Sequence, residues 1–60
     1  MLVELLKGRS NYQFYFGENN GNKYALITVN YKTSFQVSPE FANSEIQRLE
    51  KEGYKKIILK

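Results

Sequence analysis

The chain has 60 residues, and its nine Lys/Arg against six Glu give a net charge of +3 and a sequence pI near 9.3. It contains no His and no Cys, which excludes zinc fingers, haem and iron–sulfur ligation, thiol catalysis, disulfides and every His-based triad. With 42% hydrophobic and 25% charged residues the composition is that of a small globular domain, one that buries only roughly 60% of its unfolded surface.

No apolar run approaches the ~20 residues that span a bilayer, and Met1-Leu2-Val3-Glu4 does not open like a signal peptide. The expectation is one domain over residues 1–60, cytoplasmic, with no membrane role. In chain order, a two-residue turn at Gly8-Arg9 places Leu5 opposite Tyr12 and Val3 opposite Phe14. Asn20-Gly21 is a type I′ turn signal, because both residues take positive φ cheaply. That turn sets Glu18 opposite Lys23, Phe16 opposite Ala25, Phe14 opposite Ile27 and Tyr12 opposite Val29, with one face apolar throughout. After Tyr31, a three-residue turn over Lys32-Thr33-Ser34 sets Phe35 opposite Tyr31 and Val37 opposite Val29.

Ser38-Pro39-Glu40 starts a helix: Ser caps, Pro suits the first position, and Glu complements the dipole. Phe41, Ala42, Ile46 and Leu49 fall on its apolar face. A rival start at Ser44, with Gln47 completing a capping box, leaves residues 39–43 as a tight turn. Gly53 ends the helix, and residues 55–60 form a last strand. The predicted class is α+β with order ββββαβ: an antiparallel four-stranded meander, a fifth C-terminal strand, and one helix on one face of the sheet. The last strand is expected beside the first.

One helix covers one side of a sheet, so the other side faces water or a partner. It carries Leu2, Glu4, Gln13, Tyr15, Tyr24, Leu26, Thr28, Asn30 and Gln36, with Leu2, Tyr15 and Leu26 aligned across three strands. Lys7, Arg9, Lys32, Lys51, Lys55 and Lys56 converge on one end, while Glu18 and Glu40 lie at the other. Such a rim suits nucleic acid or an acidic partner, although most surface lysines only solubilise. Of the run Tyr12–Phe16 only Tyr15 is free to stack a base, with Tyr24 as companion. Catalysis has no candidate: the serines lack an activating His, the acids are dispersed, and no phosphate loop or calcium loop is present. No cofactor, metal or small-molecule substrate is expected.

Phe35-x-Val37, then Glu45-Ile46-Gln47-Arg48-Leu49, then Gly53-x-Lys55 resembles the closing half of the small linker domain that caps phycobilisome rods. The similarity covers residues 35–59. Where that family usually has Pro-Tyr after the strand and Gly-Gly after the helix, this chain has Ser38-Pro39 and Gly53-Tyr54. The resemblance implies a non-catalytic linker that packs on pigment proteins. A basic meander followed by Ser-Pro-Glu and a helix also resembles the single-strand-binding transcriptional coactivator family, from which the strand at 55–60 departs.

The function expected from the residues is a small non-catalytic protein-binding module, of adaptor, linker or inhibitor type. It uses the sheet face of Leu2, Tyr15, Tyr24, Leu26, Gln13 and Thr28 toward a protein partner or a second copy. The alternative is weak single-stranded nucleic-acid binding, with Tyr15 and Tyr24 stacking and Lys7, Arg9, Lys32, Lys51 and Lys55 as the basic rim.

Overall fold

The computed structural model describes residues 1–59. Five strands, β1 (Leu2–Lys7), β2 (Ser10–Asn19), β3 (Asn22–Val29), β4 (Thr33–Val37) and β5 (Lys55–Leu59), form one sheet in the order β4-β3-β2-β1-β5. Every neighbouring pair is antiparallel. The single helix α1 (Pro39–Lys51) packs across one face, so the chain is the expected ββββαβ α+β domain.

The first two hairpins have the registers that alternation and turn chemistry dictate. Leu5 faces Tyr12 and Val3 faces Phe14; Tyr12 faces Val29, Phe14 faces Ile27 and Glu18 faces Lys23. Asn20 and Gly21 both sit at positive φ, +53° and +81°, as a type I′ turn requires. Helix α1 starts at Pro39, not at Ser44: the Ser38 hydroxyl accepts from the Phe41 N–H at 3.1 Å. It ends in a Schellman motif, with Tyr54 N–H donating to the Leu49 carbonyl and Gly53 N–H to that of Glu50. Gly53 at φ +101° permits that reversal.

Strand β5 joins β1, with Leu2 opposite Leu59 and Leu6 opposite Lys55. The core is Val3, Leu5, Phe14, Ala25 and Ile27 from the sheet against Ala42, Ile46 and Leu49 from the helix. Tyr12, Phe16, Val29, Val37 and Tyr54 pack around it, half-buried.

Two expectations fail. The third turn lies at Asn30-Tyr31-Lys32, two residues earlier than the sequence pattern suggested, with Val29 opposite Thr33. Phe35 therefore faces Ile27 and Val37 faces Ala25. The four-residue slide along β3 preserves side-chain parity, so the hydrophobic pattern could not distinguish the two registers. Long-range contacts decide it: Asn30 N–H donates to the Asn11 carbonyl at 2.8 Å, and Asn11 N–H donates to Asn30 Oδ1 at 2.9 Å. Asn30 and Tyr31 both take left-handed backbone, φ +52° and +60°.

The second failure is Phe41, which is 49% exposed and not part of the core. It precedes Ala42 by one residue, and that offset of about 100° carries it to the helix flank. Phe35 keeps the inner parity but is also 45% exposed, because it sits on the edge strand beyond the helix.

Candidate functional site: the open sheet face

The face opposite α1 is built by the alternate residues of all five strands. Strand pairing aligns Leu59, Leu2, Tyr15, Leu26 and Gln36 in one row from edge to edge. A second row holds Ile57, Glu4, Gln13, Thr28 and Ser34, and a third begins Lys55, Leu6, Asn11. The expected apolar strip thus extends by one strand, through Leu59 and Ile57, and gains Leu6. Placing Leu59 and Ile57 needed the edge chosen by β5, whereas Leu6 follows from the alternation of β1 that already places Leu2 and Glu4.

Tyr15 is 43% exposed, whereas Leu2, Leu6, Tyr24, Leu26, Ile57 and Leu59 are half-buried by one another. Tyr24 stands over Gly17, its cross-strand partner, with its ring also near Tyr15 at 6.3 Å between centroids. A Cβ on Gly17 would lie 2.6 Å from the Tyr24 ring, so this glycine exists to seat an aromatic on the face.

Only Glu4 and Lys55 bring charge to this face among the described residues, in a chain with nine cationic and six acidic side chains. Glu4 is held by neighbours. The Tyr31 hydroxyl donates to its carboxylate at 2.7 Å, and Asn11 Nδ2 donates to the same oxygen. The Tyr31 hydrogen bond is the main cause, and those of Asn11 and Gln13 lesser ones, of a Glu4 carboxyl that ionises below its ordinary value. The same bond raises the Tyr31 phenol, since losing its proton there would set two negative oxygens together. Tyr31 was expected on the inner face as the last residue before the turn; its left-handed backbone carries it to the outer one instead. Thr28 Oγ1 and Ser34 Oγ are 2.8 Å apart and complete the polar row.

The basic residues do gather at one end, where the Gly8-Arg9 turn, the third turn and the helix C-terminus meet, but several are already engaged. Lys7 Nζ donates to the Glu52 carbonyl at 2.5 Å and lies 5.8 Å from the Tyr54 ring, a cation closing the negative end of the helix. Lys56 pairs with Glu50 at 3.6 Å. Arg48 bridges Glu45 at 2.8 Å and Glu52 at 2.5 Å, which raises the guanidinium and lowers the Glu45 carboxyl. Arg9, Lys32, Lys51 and Lys55 have no acidic partner among the described residues. Tyr15 lies six residues along the strand from Arg9, roughly 20 Å at the rise of an extended chain. The aromatic pair and the basic rim therefore occupy opposite ends of the face.

A shallow hollow of about 600 Å³ at the other end is lined by Lys23, Tyr24, Gln36, Val37 and Ser38-Pro39-Glu40. It is open to solvent. No helix of the described residues is long and apolar enough to cross a membrane. No family model, no curated protein and no solved structure matches the chain.

Proposed function

We propose that this chain is a small non-catalytic protein-binding module that docks through its open sheet face onto an apolar patch of another protein. One observation carries the reading: an apolar row from Leu59 to Leu26 crosses four strands on a face with two charged side chains. Interface centres are depleted in charge and rich in Tyr and aliphatic groups, with polar groups at the rim. Here Tyr15 is the projecting anchor, and Gln13, Thr28 and Gln36 supply hydrogen bonds beside it. The resemblance of residues 35–59 to a rod-capping linker points the same way, to a domain that packs on protein.

Five strands about 4.8 Å apart and three rows deep offer on the order of 400 Å², half of a standard interface side. The association is of the transient kind. A single-stranded nucleic-acid role is less well supported, because phosphate tracking needs several cations beside the stacking rings, where Lys23 lines the hollow with Tyr24 but the basic rim lies at the far end.

The test places a photo-crosslinking residue at Tyr15 in cells of the native host, with a control at Gln47 on the exposed helix side. The reading expects a protein adduct specific to Tyr15 that Leu26→Arg abolishes, together with no amide shifts on adding a mixed-sequence single-stranded oligonucleotide. Shifts at Tyr15, Tyr24 and Arg9 that vanish between low and moderate salt, with no specific protein adduct, overturn it in favour of nucleic acid.

A further inference from the structure

Two strands end the sheet, and they are defended differently. β5 carries Lys55 and Lys56, the usual device against unwanted edge pairing, whereas β4 (Thr33-Ser34-Phe35-Gln36-Val37) has no charge, no proline and no bulge. Its outward backbone N–H and carbonyl groups are unpaired in the monomer, and the group that satisfies a row of them is another strand. Phe35 stands half-exposed on this edge.

Phe41 joins it. Nine residues separate Phe41 from Glu50, which at 100° per residue places them on opposite sides of α1. Glu50 reaches Lys56 on β5, so Phe41 is turned toward the β4 side of the molecule. Two half-exposed phenylalanines thus flank the one uncharged edge.

We infer that β4 is a self-association edge: two copies pair β4 with β4 antiparallel across a twofold axis, making a continuous ten-stranded sheet. A second copy fits better than a foreign strand for two reasons. Centred on Phe35, the pairing sets Phe35 against Phe35, polar Ser34 against polar Gln36 and β-branched Thr33 against β-branched Val37, all favourable cross-strand pairs. The same register brings Lys32 of one copy level with Ser38 of the other, two residues from Glu40, and does so twice. The molecule's end-to-end charge separation becomes complementary in the dimer, although each copy carries +3. The inference is independent of the open-face reading, since it uses main-chain groups and the opposite flank.

A five-residue edge with two phenylalanines per copy is smaller than the ~800 Å² per partner of stable complexes, so dissociation is expected on the order of 100 µM. Sedimentation equilibrium from about 10 µM to 2 mM at moderate salt reads it directly, with hydrogen exchange at both extremes. The expected result is a mass rising from 7.1 kDa toward twice that value, with β4 amides slowing as concentration rises. Phe35→Lys, at an exposed position, weakens association at least tenfold while leaving the circular dichroism and melting of the dilute monomer intact. Lys32→Glu weakens it, and Lys32→Glu with Glu40→Lys restores it. A monomer at 2 mM overturns the inference. So does a dimer that survives Phe35→Lys and dissociates with Ile58→Lys, which would assign the β5 edge, or with Tyr15→Arg, which would assign the open face.

Discussion

At the scale of single residues, two side-chain arrangements outside the core shape the open face. At Gly17 the end of the Tyr24 side chain occupies the space a methyl would need. Gly17→Ala must displace the far end of that ring and part it from Tyr15, at a cost expected below about 1 kcal/mol because the ring can swing into solvent. Urea unfolding measures the cost, and loss of contacts between the Tyr15 and Tyr24 rings in nuclear Overhauser spectra tests its cause. An unchanged ring pair with unchanged stability would refute the account.

Glu4 sets an acid limb on stability. Its folded carboxyl ionises below the ordinary 4.5 because Tyr31 and Asn11 donate to it, so the unfolded chain binds more protons in the interval between the two values. The contribution is complete above the ordinary value and is lost as pH falls through the depressed one. Tyr31→Phe removes the main donor. Denaturant midpoints of the wild type and Tyr31→Phe are expected to differ at pH 7 and to converge as pH falls through the depressed value of Glu4; a difference constant with pH would assign Tyr31 a packing role instead.

Among the elements, α1 rests most on local chemistry and β4 least. Ser38 caps through one hydroxyl, and Ser38→Ala is expected to cost about 1 kcal/mol by denaturant titration. The third turn is held by Asn30 reaching across to Asn11, contacts with a strand nineteen residues earlier. Asn30→Ala therefore removes both the residue that tolerates left-handed backbone and the Oδ1 acceptor of the Asn11 N–H, leaving only the main-chain bond to the Asn11 carbonyl. Its signature is faster amide exchange in β4 and at the Asn11 N–H, with β1 and the Asn20-Gly21 hairpin unaffected. Acceleration spread evenly over all strands would show that the turn is not a local device.

For the whole molecule, the decisive fact is how little is buried. Eight apolar side chains are fully enclosed, with Phe14, Leu5 and Leu49 the largest at the centre. A chain of this length has about 3–9 kcal/mol of stability in hand, and Phe14→Ala removes about 3–5 kcal/mol of it. That variant is expected to be substantially unfolded at 25 °C by circular dichroism. A cooperative melt close to that of the wild type would mean the core is larger than these eight residues.

Period-two alternation and turn chemistry determined most of this molecule by themselves. Asn20-Gly21 and Gly8-Arg9 force the registers of β1, β2 and β3, and Ser38-Pro39 with Gly53 bracket the helix. Leu2, Tyr15 and Leu26 then align on the open face, since a parity and a register are all that alignment requires. Tertiary structure decided what parity cannot see. The slide of β4 by four residues leaves every β4 side chain on its expected face, so contacts outside that pattern separate the two registers: Asn30 with Asn11, Tyr31 with Glu4 and Thr28 with Ser34. Phe41 is apolar yet lies on the flank of α1, where the sheet does not cover it. The choice of β1 as neighbour for β5 adds Ile57 and Leu59 to the open face and leaves β4 bare at the other edge. Those outcomes depend on contacts between segments far apart in the chain, which hydrophobic period and local turn preference do not encode.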